Sequence, residues 1–487
     1  MQRLAAQSAF PNVILTLLLV ACSILGGVAI GGGSSKIVLL AVAAGVIGLL
    51  LVTKPEYGTY IPLAAIVVTN TFPPLIYGDW LSVGSQGANV RPDFVLLLIG
   101  LLLVYGHSRH SQQQFYTPLD APFGLLLVIA LLADLISVIR GHSVGVGPML
   151  RFVEGWIWFF IASRLTRRED IPRLTKLLAA VGIVLAGVLL VTSLTGSQEL
   201  YTRFFVDSPR DVDSSKFYPQ FYAGYERPRV WLSEGELLLQ NVWTLGLASM
   251  FNSGLSLGWM GILLLLGLRS LSSLGRNFIG WLIVYFVVTI GLFMSTKRYP
   301  RWRIMFGSLG IIGVFALSLG ILASGTEVWK DVLYWLGVRA APTLEQAPYT
   351  YIGAQWARDE IIHEPIFLFL GAGAFAPKPY DINLPFVEIV FSLGIAGYLG
   401  YVWLFGKGLK QTWRLFNSAA LSEAERPVVA MVLATCLVSL GGLILNVRPT
   451  TYVAHSLTLI PLAILLGWVQ VIYSGVVGAS AAEGKAR

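Results

Sequence analysis

The sequence predicts an all-α, polytopic membrane fold, and three observations predict it. Only 12% of the 487 residues are charged, against 55% hydrophobic. A soluble domain carries about twice that share of charge. Mean hydropathy is +0.72. Charge-poor apolar runs follow one another along the chain, most of them roughly 15 to 20 residues long, the length that crosses a bilayer as a helix.

Fourteen such runs are candidate spans, at about 13–31, 37–52, 60–76, 93–105, 121–139, 149–164, 177–195, 237–251, 255–268, 278–295, 304–323, 385–405, 428–446 and 456–474. The first looks like a signal peptide, but it lacks a small-residue cleavage site and further spans follow at once, so it reads as a retained helix. The third contains Pro62, Pro73 and Pro74 and is expected to kink or break. The fourth is short. The eighth and ninth are divided only by Asn252-Ser253-Gly254, so one long tilted helix is the alternative there. The whole chain, 1–487, reads as one integral membrane domain with two long polar loops, 196–236 and 324–384. No repeat or soluble domain is visible, and low complexity is confined to the small-residue tail after Tyr473.

Basic residues orient the chain. Arg164, Arg167, Arg168, Arg173 and Lys176 follow the sixth span. Lys297, Arg298, Arg301 and Arg303 follow the tenth, Lys407, Lys410 and Arg414 the twelfth, and Lys485 and Arg487 end the chain. With a cytoplasmic N-terminus and fourteen spans, all four clusters and the C-terminus face the cytoplasm. Both long loops then face outward.

Several functions lose their ground. There is no Walker A pattern, no GxGxxG after a strand, no HExxH and no GxSxG. Five histidines without paired spacing, and only Cys22 and Cys436 inside apolar runs, give no metal site or disulfide framework. No cofactor is expected. The formal charge of +8 suits cytoplasmic loops and lipid headgroups, and it is no argument for nucleic acid. Leu370-Gly371-Ala372-Gly373 reads as a turn rather than a phosphate cradle.

What remains is arginine on the outer side: Arg203, Arg210, Arg227 and Arg229 in the first loop, Arg140 and Arg151 around the fifth and sixth spans, Arg339 and Arg358 in the large loop, and Arg448. Guanidinium forks match phosphate oxygens, so the set points to an anionic ligand. The competing reading is pairing with Glu154, Glu226, Glu234, Asp359 and Glu360, or snorkelling to headgroups. YPQFYAGYERPRVW (Tyr218–Trp231) is either an interfacial aromatic belt or a wall that stacks on sugar rings.

Within the large loop, Ile352 to His363 reads as a helix at the membrane interface. Ala354, Ala357 and Ile361 form an apolar stripe, and Gln355, Asp359 and His363 form a polar one. Asp359 is then placed to orient His363 as a general base. Asp381, before the twelfth span, is a second candidate base. Against these stand a plain surface histidine and a helix-start carboxylate. Asp134 and Glu388 lie within spans, which keeps a transporter reading open.

Three stretches carry a family resemblance. LDAPFGLLLVIALLADLISVIRGHSVGVGPMLRFVEGWIWFFIASRL is a span pair, and RVWLSEGELLLQN is an arginine-led outer segment entering a span. QWARDEIIHEPIFLFLGAGAF followed by NLPFVEIVFSLGIAGYLG gives Trp, helix, Pro, Gly-x-Gly, Phe, then Asn383, a span, and Gly394 and Gly397. In these the chain resembles the bacterial O-antigen ligase and O-antigen polymerase superfamily over roughly residues 92–405. The resemblance implies a GT-C-like fold in the bacterial inner membrane. It implies a metal-independent glycosyltransferase acting outside that membrane. The partners it implies are an undecaprenyl-pyrophosphate-linked glycan donor, an acceptor glycan and the lipid bilayer, with further polysaccharide-assembly proteins.

Two positions depart from the family's pattern. Ile382 stands where the family carries His before Asn383. Ile352 stands where it carries Arg, four residues before Trp356. Asp381 or His363 is therefore the expected base. Arg229, Arg227, Arg358, Arg339, Arg151 and Asn383 are the expected pyrophosphate and glycan ligands. The incomplete His-Asn pair favours polymerase over ligase. A permease and a non-catalytic partner in polysaccharide assembly are the alternatives.

Overall fold

The computed structural model describes residues 55–71, 82–83, 88–89, 92–110, 117–141, 146–195, 233–272, 276–296, 298–324, 347–373, 385–445 and 456–486. Fourteen α-helices lie within these residues. They are α1 (Ile61–Thr71), α2 (Pro92–His110), α3 (Asp120–Ile139), α4 (Val146–Leu165), α5 (Ile171–Thr195), α6 (Ser233–Ser253) and α7 (Leu257–Ser272). The others are α8 (Arg276–Ser295), α9 (Arg301–Ser324), α10 (Ala347–His363), α11 (Ile366–Leu370), α12 (Pro385–Phe416), α13 (Arg426–Ile444) and α14 (Ser456–Ala486). A two-residue antiparallel pair, β1 (Ser82–Val83) and β2 (Ala88–Asn89), joins Ser82 to Asn89 and Val83 to Ala88.

Twelve of the fourteen predicted runs, the third to the last, are helices in this fold, and the first two lie outside the described residues. Among the described residues, six helices are long and apolar enough to cross a membrane, including Asp120–Ile139, Arg426–Ile444 and Leu459–Val477. The fold is that of a helical membrane protein. Pro62 falls in the first turn of α1, where its missing N–H costs nothing, and α1 runs on through Thr71 without a break. Pro73 and Pro74 lie outside the described residues.

Three helices form the centre. Side chains are buried continuously from Leu237 to Asn252 in α6, from Arg426 to Cys436 in α13 and from Leu459 to Gln470 in α14. The most extensive helix pair is α4 with α14, where Gly467 lets α14 close onto Ala162 and Ser163. Around this centre, α3, α5, α8 and α9 turn rows of leucine, valine and isoleucine outward, Leu135, Val184, Val287 and Ile312 among them. A helix apolar on its outer as well as its inner side belongs in lipid.

The turn at Asn252-Ser253-Gly254 is a true break. Gly254 takes φ +95° and ends α6, and α7 starts at Leu257. This separates the two helices that hydropathy nearly merges. The basic cluster Lys407, Lys410 and Arg414 lies in the last turns of α12 rather than after it. Lysine and arginine are good helix formers and suit a helix C-terminus, so this cluster carries α12 on to Phe416.

The inter-helix turns then gather on one face. Arg168 donates to Glu425 at 2.6 and 3.0 Å, Arg298 to Glu423 at 3.3 Å, and Arg303 to the Asn252 carbonyl at 2.9 Å. Tyr299 donates to Asn252 at 3.0 Å, and Arg164 to Asp120 at 2.8 Å. Buried Arg426 closes the α12–α13 turn through the carbonyls of Phe416 and Leu421, at 3.3 and 2.8 Å.

Candidate functional site

The large loop's described part starts with α10. Two members of the apolar stripe hold: Ala357 is buried with Phe367, Ala372 and Phe391, with Trp356 and Ile361 packed beside them, and the Ala354 side chain lies outside the described residues. Gln355, Asp359 and His363 face outward. Trp356 lies 5.0 Å, ring to ring, from Phe391 of α12, so the tryptophan of the motif clamps the loop helix to a span. Glu364 and Pro365 end α10. Pro365 has no N–H to continue the helix, and it opens α11.

Past α11 the chain locks into the membrane domain. Gly371 (φ 76°, ψ 164°) and Gly394 (φ 70°, ψ 179°) sit in a backbone region open essentially only to glycine. Gly394 breaks α12. The carbonyls released there are taken up by the loop: Ala372 donates its N–H to Phe391 O at 2.6 Å, and Gly373 donates to Ser392 O at 3.2 Å. A side chain on Gly371 would strike the Ser392 carbonyl, and one on Gly394 the Phe369 carbonyl. One on Gly373 would lie 2.7 Å from the Ala133 carbonyl of α3. The glycine run is therefore a turn, as read, and also a three-way junction of α11, α12 and α3.

Arg140, just past α3, ties the junction to the end of α10. It makes an ion pair with Glu364, and its guanidinium carbon stands 4.5 Å from the centroid of the Phe367 ring. Glu364 escaped the sequence reading. The signal for it was an acid beside the candidate base at a helix end, on a face otherwise rich in arginine.

His363 is exposed at the tip of α10. Its Nδ1 lies 2.7 Å from the backbone carbonyl of Asp359. A carbonyl only accepts, so Nδ1 carries a proton there, and Nε2 is the ring nitrogen that faces any acceptor hydroxyl's proton. The sequence assigned this orientation to the Asp359 carboxylate. That carboxylate instead takes two hydrogen bonds from its neighbour Arg358, at 3.2 and 3.3 Å. Near a helix end the i, i+4 spacing brings the ring back to the carbonyl of the preceding turn as readily as to its side chain.

The structure thus brings His363, Glu364 and Arg140 into one corner, with Arg358 on the same helix. Arg151 is in the first half of α4, the helix that follows Arg140. Asp381, Asn383, Arg227, Arg229 and Arg339 lie outside the described residues. Within the spans, Asp134, Glu154 and Glu388 are buried, and each is engaged in an interaction. The Glu154 carboxylate accepts from Trp158 Nε1 at 3.2 Å. Compared with models of known protein families and with curated proteins, the chain matches none.

Proposed function

We propose that the protein is a membrane glycosyltransferase of fourteen spans with cytoplasmic termini. It moves an undecaprenyl-pyrophosphate-linked glycan onto an acceptor sugar on the outer side of a bacterial inner membrane. Polymerase is preferred to ligase. The observation that carries this reading is the corner at the end of α10, on the opposite side of the bundle from the basic turns. There exposed His363 engages the Asp359 carbonyl through Nδ1, next to Glu364 and its ion pair with Arg140, and a glycine junction anchors the loop to α3 and α12.

In this mechanism the acceptor hydroxyl oxygen attacks the donor's anomeric carbon. The bond from that carbon to the pyrophosphate oxygen breaks, and the electron pair leaves with undecaprenyl pyrophosphate. The acceptor proton passes to His363 Nε2 or to Asp381. Arginines from the set Arg229, Arg227, Arg358, Arg339 and Arg151 bind the leaving charge, which grows in the transition state and makes their contribution catalytic.

The buried carboxylates Asp134, Glu154 and Glu388 favour a second reading, a proton-coupled permease. One assay separates the two. Membranes given lipid-linked glycan should extend it, and His363→Ala, Asp381→Ala or Arg229→Ala should cut extension by a hundredfold or more, within the range a general base or oxyanion donor supplies. Unchanged product length in a variant removes that residue from the mechanism. No extension by the unaltered protein removes the transferase.

A further inference from the structure

The segment between α10 and the glycine junction is not a surface loop. Two rulers give its depth. Gly373 packs against Ala133 and Ser137 of α3, a helix that ends only at Ile139. Ala372 and Gly373 bond to Phe391 and Ser392, in the second turn of α12, which begins at Pro385. At 1.5 Å per residue, α12 places the junction about 9–10 Å inward from its own start, and α3 gives about 3–9 Å. Glu364, by contrast, is level with Arg140, at the end of α3. The chain therefore descends from Glu364 to Gly373 along two spans.

Its chemistry fits that depth. From Pro365 to Phe375 there is no charged residue. Phe367, Leu368 and Gly371 donate their N–H groups to Glu364, Pro365 and Phe367 carbonyls, and Ala372 and Gly373 donate to α12. Backbone in hydrocarbon must be satisfied by protein in this way. Phe367 is buried, but Ile366 is 54% and Phe369 60% exposed, and Leu132 and Leu135 of α3 are exposed as well. Large apolar side chains directed away from the protein at that depth meet lipid.

We propose that Pro365–Gly373 is a re-entrant element embedded in the leaflet opposite the basic turns. Its partner is the acyl-chain layer of the bilayer, which Ile366 and Phe369 contact. His363 and Arg140 then stand at the headgroup boundary directly above it, the level at which a lipid-linked pyrophosphate presents its charge. The insertion itself rests on the membrane fold and not on the transfer reading, so either can fail alone.

Spin labels test it in phosphatidylcholine/phosphatidylglycerol nanodiscs. Single cysteines are placed at Ile366→Cys and Phe369→Cys in a C22A/C436A background. Leu135→Cys on α3 is the lipid reference, and Gln355→Cys on α10 the aqueous one. Labels at 366 and 369 should collide with oxygen as the label at 135 does and be shielded from a water-soluble nickel chelate. Chelate accessibility equal to that at 355 for both overturns the proposal. Ile366→Cys alone decides where Phe369→Cys does not fold.

Discussion

Glu425 is nearly buried between two helix starts, and four hydrogen bonds hold its carboxylate there. Arg168 supplies two, and the Ser422 hydroxyl and N–H supply the others at 2.8 and 3.2 Å. Burial pushes the carboxyl up. The bonds from Arg168 and Ser422, with the charge of Arg168, outweigh it and leave the group below the ordinary carboxylate range. A carboxyl depressed in the folded state contributes stability that is complete above its unfolded value and is lost as pH falls through its folded one. The protein in detergent should therefore keep its melting temperature from neutral pH down to about pH 5 and lose stability below the usual carboxylate range. Glu425→Gln should cost about 1–2 kcal/mol at pH 7, with Arg168 a third exposed, and should flatten that acid limb. An unchanged melting curve would remove the pair from the fold's support. Arg168 was legible in the sequence as part of a basic cluster. Its partner was not, because the two residues are 257 positions apart and hydropathy carries no pairing information.

At the scale of elements, helix α10 was legible because its apolar and polar positions follow the helical repeat. The split between α6 and α7 was legible as a weak break, Asn-Ser-Gly, which φ +95° at Gly254 makes real. The break in α12 was not legible. GIAGYLG continues an apolar run without a charge or a proline, and only the backbone angles at Gly394 show that the helix divides there. The junction it forms makes a sharp prediction. Gly394→Ala puts a Cβ into the Phe369 carbonyl and an L-residue into a glycine-only conformation. It should cost about 3 kcal/mol or more, from backbone strain and overpacking together. Gly406, further along α12, has open space around its Cβ position and lies in helical backbone. Gly406→Ala should be neutral or stabilise by about 0.5–1 kcal/mol. Thermal unfolding of the two variants in one detergent checks both signs, and equal effects would show that the junction is not tight.

At the scale of the whole molecule, charge and topology agree. The proposed alternation of fourteen spans requires the turns after the sixth, eighth, tenth and twelfth to share a side. Those turns carry Arg168, Asn252, Arg298 with Arg303, and Glu423 with Glu425, which bond to one another in the pattern Arg168–Glu425, Arg298–Glu423 and Arg303–Asn252. Asn252 also donates to the Glu423 carbonyl at 3.1 Å, so the eighth and twelfth turns are linked directly. The sequence could place these turns on one side because lysine and arginine are counted loop by loop. It could not place the corner at the end of α10, because the Arg140–Glu364 pair joins residues 224 positions apart and neither loop charge nor helical periodicity records such a pairing. The proposed orientation, with the basic turns in the cytoplasm, puts the α10 corner outside, and a labelling experiment reads this directly. In intact cells a membrane-impermeant maleimide should modify Gln355→Cys on α10 and leave Ala420→Cys, exposed between α12 and α13, unmodified until the membrane is opened. The reverse pattern would invert the protein in its membrane and place the His363 corner beside cytoplasmic substrates. A polymer-extending reaction on the outer surface would then have no base, whatever the fold.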